Sequence, residues 1–330
     1  MWDFQAQRTL FTALAPRLGS IDLAVAKLFA LWLPPLVTIA IVNLISYEHD
    51  RVILKCRWTT IDLLRLTWWS TVSPFVALLF VVSAFEAIYD KERWGVLWFV
   101  PAALTGFVGA ALLRVAQGMK LRRVKSGELY KRAFVLAKGM ATPLERVYVV
   151  PAGRGHLTNA YGLSRSIAVT DNYGKFLKGP QLDFVIGHEL AHVKGRHGRK
   201  NLLITGAVYA GAVVVCFSLP TAFLPYRPML DVFVLLSPIL TYYFFSRRFE
   251  YEADATSVGF THDSEAAIRA LSNLHRLTQV PINCDWLSEL FLTHPAFTRR
   301  ALAIAELSRM PAERTSEIIQ EARLWRADPT

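Results

Sequence analysis

The sequence predicts a mainly α membrane protein, with about five transmembrane helices and an α+β domain built around a small sheet. Three observations predict it. Apolar residues make up 53 % of the 330 positions, more than is usual for a water-soluble domain. They gather in long blocks instead of spreading evenly, as membrane spans require. Basic residues bracket those blocks, which is the pattern that orients a chain across a bilayer.

A helix needs about 20 apolar residues to cross the hydrocarbon layer. The first block runs from about Leu23 to Tyr47 and contains Pro34 and Pro35, which predict a kink. The second runs from about Leu66 to Tyr89 and the third from Trp94 to about Val115. Trp68, Trp69, Trp94 and Trp98 lie near block ends, where indoles prefer the interface. The fourth block is Leu202 to Leu224. The fifth, Leu230 to Ser246, is short and contains Pro238. Pro225 to Met229 joins the last two, so they read as a helical hairpin. Nothing in residues 1–22 has the order of a cleavable signal.

The basic link after block one and the basic segment after block three both belong on the cytoplasmic side. Residues 118–200 and 247–330 then share that side and can assemble into one domain. Between these limits, Leu129 to Lys138 reads as a helix. Val147 to Val150 and Ser166 to Thr170 read as strands, being rich in β-branched residues. Gly153, Gly155 and Gly162 mark turns. Pro180 opens a helix running through His197. Helices are expected at Arg247 to Val258, Ser264 to Leu277 and about Arg299 to Leu324. The expected organisation is an N-terminal membrane region (1–117), the first part of the domain (118–200), a transmembrane hairpin (201–246) and the second part of the domain (247–330).

The formal net charge of +11 does not indicate nucleic acid. Arg51, Lys55, Arg57 and Arg65, and then Arg114 to Arg132, sit beside apolar blocks as a topology signal. No zinc-finger or RNA-binding signature accompanies them. The three cysteines, Cys56, Cys216 and Cys284, form no CxxC pair and no disulfide framework.

The chemistry is concentrated in His188-Glu189-Leu190-Ala191-His192. Residues four apart on a helix share a face, so both imidazoles can reach one ion. Glu189 can address a water on that ion without ligating it. A catalytic zinc needs a third protein ligand and one open position. Glu250, in Glu250-Tyr251-Glu252-Ala253-Asp254, is placed to be that ligand, and Glu252 competes for the role. Asp254, one turn on, can accept a hydrogen bond from a ligand imidazole. Thr293-His294-Pro295, with Arg299 and Arg300 behind it, offers donors for a developing oxyanion. His197 and His156 read as structural. Two histidines and a carboxylate favour zinc, with manganese, iron and cobalt as the other metals the donor set accepts.

These motifs resemble the membrane-bound peptidase family that includes the HtpX heat-shock protease and the CaaX prenyl endopeptidase. The resemblance rests on HELAH at 188–192 with Gly195, Arg196 and His197 behind it, FEYEAD at 249–254 and THPAFTRR at 293–300. It also rests on Asn159-Ala160-Tyr161-Gly162 and Ser166 to Thr170, and it extends over roughly residues 125–310. It implies an HtpX-like integral-membrane zinc metalloendopeptidase with a zincin-like catalytic domain of the gluzincin type. His188, His192 and Glu250 are implied to hold Zn2+, with Glu189 as general base and Asp254 behind the ligands. His294 and Arg300 are implied to lie at the catalytic centre. Asn159 and Ala160 are implied to lie at an edge strand that holds substrate backbone in extended form.

The implied substrates are polypeptides, membrane proteins among them, met in quality control or processing at the lipid bilayer. The expected location is multi-pass in a bacterial inner membrane, with the catalytic domain facing the cytoplasm. Three apolar blocks precede that domain, where HtpX-like members usually have two. Rival readings are a sensor-transducer peptidase, a non-catalytic scaffold with a structural zinc, and a transporter, which the scarcity of charge within the blocks disfavours.

Overall fold

A computed structural model describes residues 37–38, 41–42, 44–45, 59, 61, 121–151, 159–171, 173, 177, 179–218, 226–278, 282–290 and 292–324. Contacts divide the chain into two compact units, Met1–Met119 and Lys120–Thr330. Nearly all of the described residues belong to the second unit.

The sheet of that unit has four strands: β1 (Arg122–Val124), β2 (Arg146–Val150), β3 (Ala160–Gly162) and β4 (Ser166–Thr170). They lie in the order β1-β2-β4-β3. β2 and β4 run parallel, with Val147 opposite Ile167 and Val149 opposite Val169. β1 and β3 flank them antiparallel. The two central strands are the β-branched runs, and Val147, Val150, Ile167 and Val169 are almost fully buried. The sequence reading missed β1, two of whose three residues are arginines, and read Gly162 as a turn although it ends β3.

Helix α1 (Glu128–Gly139) covers one side of the core with Ala133, Leu136 and Ala137. α2 (Pro180–Gly195) starts with proline in its first turn, where the missing N–H costs nothing. It is buried nearly all round, from Leu182 to Val193, as befits a helix at the centre of a domain. It ends at Gly195 and not at His197, because Arg196 takes a left-handed conformation (φ 51°). α3 (His197–Ser218) leaves in a new direction. α4 (Arg227–Thr261) is one continuous helix of 35 residues, with Pro238 inside it. It joins what the sequence divides into a fifth apolar block and a separate helix at 247.

α5 (Ser264–Thr278), the short α6 (Trp286–Glu289), α7 (Phe297–Ser308) and α8 (Ala312–Leu324) complete the unit. Arg309, left-handed at φ 53°, breaks the predicted tail into α7 and α8. Ile268, Phe297, Ile304 and Ile318 carry these helices into the same core as Phe184, Ile186 and Leu190 of α2. α2 and α4 approach closely because Gly187 has no side chain: a Cβ there would fall 2.5 Å from Ser257 Oγ. Ser257 Oγ instead donates to the Phe184 carbonyl at 2.7 Å.

The membrane half of the predicted fold class is corrected. Among the described residues, no helix is long and apolar enough to cross a membrane. The first three apolar blocks lie outside the described residues, apart from isolated positions in the first. The fourth block, Leu202 to Leu224, is described as far as Ser218, within α3, whose 22 residues begin with His197, Gly198, Arg199, Lys200 and Asn201. The fifth lies in α4, where charged Asp231 and Arg247 enclose only Val232 to Ser246, a rise of about 22 Å. Asn201 ties the two helices by donating from Nδ2 to Ser246 Oγ at 3.0 Å and to the Tyr242 carbonyl at 3.3 Å.

The expected mainly α membrane protein with about five transmembrane helices gives way to a mostly helical domain with a small mixed sheet. The multi-pass bacterial inner-membrane location, with its cytoplasm-facing catalytic domain, rested on those spans and is corrected with them, since no helix among the described residues is long and apolar enough to cross a membrane.

Candidate metal centre

α2 and α4 build the site between them. His188 and His192, one turn apart on α2, turn their Nε2 atoms to a common point 3.1 Å from each other. Glu250 comes from α4, with Oε2 3.5 Å from His188 Nε2 and Oε1 3.3 Å from His192 Nε2. Ligands held tetrahedrally at 2.0–2.1 Å around one ion stand about 3.4 Å apart, and these three separations match that figure. The ligand atoms of the three residues all lie within 4.8 Å of one another.

The cluster is also incomplete in the way an ion would complete it. Glu250 Oε2 is buried and receives no well-angled hydrogen bond, although Arg300 Nη1 lies 3.1 Å away and His294 Nδ1 2.9 Å away. Glu189, Glu250 and Asp254 are exposed by only 8 %, 6 % and 2 %. Three buried carboxylates around one buried guanidinium leave negative charge for a divalent cation to balance.

Behind the cluster, Asp254 Oδ1 lies 2.9 Å from His188 Nδ1. Arg300 donates to both Asp254 oxygens, from Nε at 2.8 Å and from Nη2 at 2.7 Å. Burial alone would push the Asp254 carboxyl up, but Arg300 and His188 outweigh it and hold it below the usual range. Glu250 is held well below its usual range against the same burial, by His294 and Arg300. For His188, burial works downward, yet the Asp254 and Glu250 carboxylates raise the imidazole to about 10. Glu189 goes the other way: burial raises its carboxyl above the ordinary value.

His294 is half exposed and meets only Glu250 among these groups. Its loop is fastened to α4 by Arg247, whose Nη1 donates to the carbonyls of Glu289, Leu290 and Leu292 at 2.7, 3.2 and 3.0 Å. Buried Glu289 holds the other end, accepting from the Ala296 N–H at 3.2 Å and pairing with Arg299.

β3 passes the same centre. A Cβ at Gly162 would fall 2.8 Å from the Glu189 carbonyl oxygen and 3.4 Å from Glu189 Oε2. Asn159 leads into this strand. Its N–H donates to Thr170 Oγ1 at 3.0 Å, and its Oδ1 accepts from the Ala160 N–H at 2.9 Å. Of the two candidate carboxylates on α4, Glu250 is the one beside the two imidazoles. Glu252 points away, with 58 % of its side chain exposed, and meets His197 at 3.3 Å.

The family model described as Peptidase family M48 matches residues 124–308, more than half of the chain and all of the residues that form the centre. The chain belongs to peptidase family M48. Among its M48 relatives, the "Protease HtpX homolog" of Nostoc punctiforme is 27 % identical over 231 residues, covering 60 % of this chain and 79 % of that protein. The protein of the same name from Burkholderia thailandensis is 26 % identical over 240 residues, covering 62 % and 82 %. The crystal structure of S. mikatae Ste24p superposes with a TM-score of 0.55 over 85 % of this chain and 76 % of that one. At 20 % identity that likeness concerns the fold.

Sequence reasoning gave no role to two groups beside this centre. Buried Tyr173 lies where burial and the Glu189 carboxylate push its phenol far up, and no motif points to it. His197, read as structural, lies against His192. The glycine two positions before it was the available signal.

Proposed function

We propose that this chain is a zinc metalloendopeptidase in which His188, His192 and Glu250 hold the ion and Glu189 is the general base. The carrying observation is the triangle of two Nε2 atoms and one carboxylate at 3.1, 3.3 and 3.5 Å. When bound, zinc supplies Lewis acidity, making a water acidic near neutral pH and polarising the scissile carbonyl.

The chain's own residues do the rest. Glu189 takes a proton from the attacking water and returns it to the leaving amine nitrogen. Its raised pKa suits both transfers, since a base poised nearer neutrality accepts and releases with less loss. With Nδ1 of His294 against Glu250, its Nε2 is the nitrogen that faces substrate, and a proton there stabilises the carbonyl oxygen as charge develops. Arg300 acts through the carboxylates it holds, and Asp254 fixes the ring of His188.

The substrate class is extended polypeptide. Asn159 O accepts from Thr170 N, and Leu163 N donates to Ser166 O, so residues 159, 161 and 163 turn their backbone groups to β4. The groups of residues 160 and 162 therefore face outward. With the Ala160 N–H taken by Asn159 Oδ1, the Ala160 carbonyl and both backbone groups of Gly162 meet no partner among the described residues and remain for a substrate strand.

The test is Glu189→Gln in the zinc-loaded protein, with casein fragments mapped by mass spectrometry and zinc measured by atomic absorption. Hydrolysis should fall by about 10²–10⁴-fold with zinc content unchanged. A wild-type protein that holds zinc tightly and cleaves nothing would point to a structural ion instead.

A further inference from the structure

The two candidate imidazole ligands are held from behind by different kinds of group. His188 Nδ1 meets a carboxylate, Asp254. His192 Nδ1 meets another imidazole, Nδ1 of His197, at 2.9 Å. His197 is 4 % exposed, and its ring lies on Phe249 at 4.5 Å between centroids and 11° between planes. Its Nε2 points to Glu252 Oε2, 3.3 Å away.

The local chain is shaped to admit that ring. Arg196, in the left-handed region at φ 51°, turns the chain back on α2. Gly195 leaves the space empty, since a Cβ there would fall 2.1 Å from His197 Nε2. A histidine merely filling the core would not need a glycine beneath it, a stacked ring above it and its two nitrogens aligned with separate partners.

We propose that His197 is a positioning residue for the metal centre, accepting the Nδ1 proton of His192 and passing the alignment on to Glu252. This rests on His192 being a ligand of the proposed zinc site. A ligand Nε2 must present its lone pair, so the proton of neutral His192 sits on Nδ1. The neighbouring Nδ1 of His197 is then the acceptor, and the His197 proton sits on Nε2, where it faces the Glu252 carboxylate. One arrangement of protons satisfies all three groups. It also makes the ligands unequal. A neutral imidazole acceptor leaves His192 less electron-rich than His188, which is backed by an anion.

His197→Phe keeps the ring and its stack on Phe249 and removes both nitrogens. In a competition titration against a zinc chelator, its dissociation constant should rise by about 10–100-fold, and the visible bands of the cobalt-substituted protein should shift. The melting temperature of the metal-free protein should hold. His197→Gln, whose amide oxygen can accept from His192, should recover most of the affinity. Gly195→Ala gives a second route, displacing the ring without removing it, and should also weaken binding.

Wild-type zinc affinity and cobalt bands in both His197→Phe and Gly195→Ala would overturn the proposal, while His188→Ala, run alongside, separates the two readings. If His188→Ala abolishes binding and the other two do not weaken it, only the role of His197 fails. If His188→Ala itself binds zinc normally, the metal site has been misassigned.

Discussion

The two halves of α4 treat their side chains in opposite ways. Between Arg227 and Ser246 several large apolar groups are open: Met229 is 71 % exposed, Phe233 54 % and Phe244 55 %. From Arg247 onward the helix buries polar groups as well as apolar ones, with Glu250, Asp254 and Ser257 at four- and three-residue steps along one face. The difference shows that hydropathy alone does not decide what a helix buries. Charge goes inside where each group finds a partner, and Asp254 has two in Arg300 and His188.

The largest expected effect lies in the second half. Asp254→Ala leaves Arg300 buried without its main partner and should cost about 3–5 kcal/mol, read as a lowered urea midpoint in the metal-free protein. A loss below about 1 kcal/mol would mean that the buried charges are not coupled as described. Next comes the seam where this half meets α2. Gly187→Val forces a side chain into Ser257 and should destabilise by about 1–3 kcal/mol in the same measurement. The smallest effect belongs to the first half. Phe233→Ser removes an exposed ring and should move stability by no more than about 0.5 kcal/mol. A larger loss would show that this face is covered in solution, and the contrast between the halves would shrink.

The features legible in the sequence are the local ones. HELAH is visible because a four-residue spacing brings two rings together on any helix. The strands at 146–150 and 166–170 are visible because their β-branched runs suit a buried sheet. β1 is not: Arg122 and Arg123 pair across from Val149 and Tyr148 with their side chains in water, and nothing in a basic stretch announces that. Nor can the choice between Glu250 and Glu252 be read, since it depends on which face of α4 meets α2. The fourth and fifth blocks are read as self-contained spans because only their apolar residues are counted. The helices instead take in His197 to Asn201 at one end and Arg247 to Thr261 at the other. His197 escapes because its contact depends on one residue, Arg196, entering the left-handed region.

Arg247 sets a tolerance for the whole centre. It clasps the carbonyls of a segment 42 positions away, and it stands three residues, less than one turn, before Glu250 on the same rigid helix. The gap between Glu250 and His294 is therefore gauged by that single turn and not by the long stretch of chain between them. Inserting or deleting residues between Thr278 and Ile282 should leave the gap unaltered, as a ruler fixed at one mark ignores the length of the string.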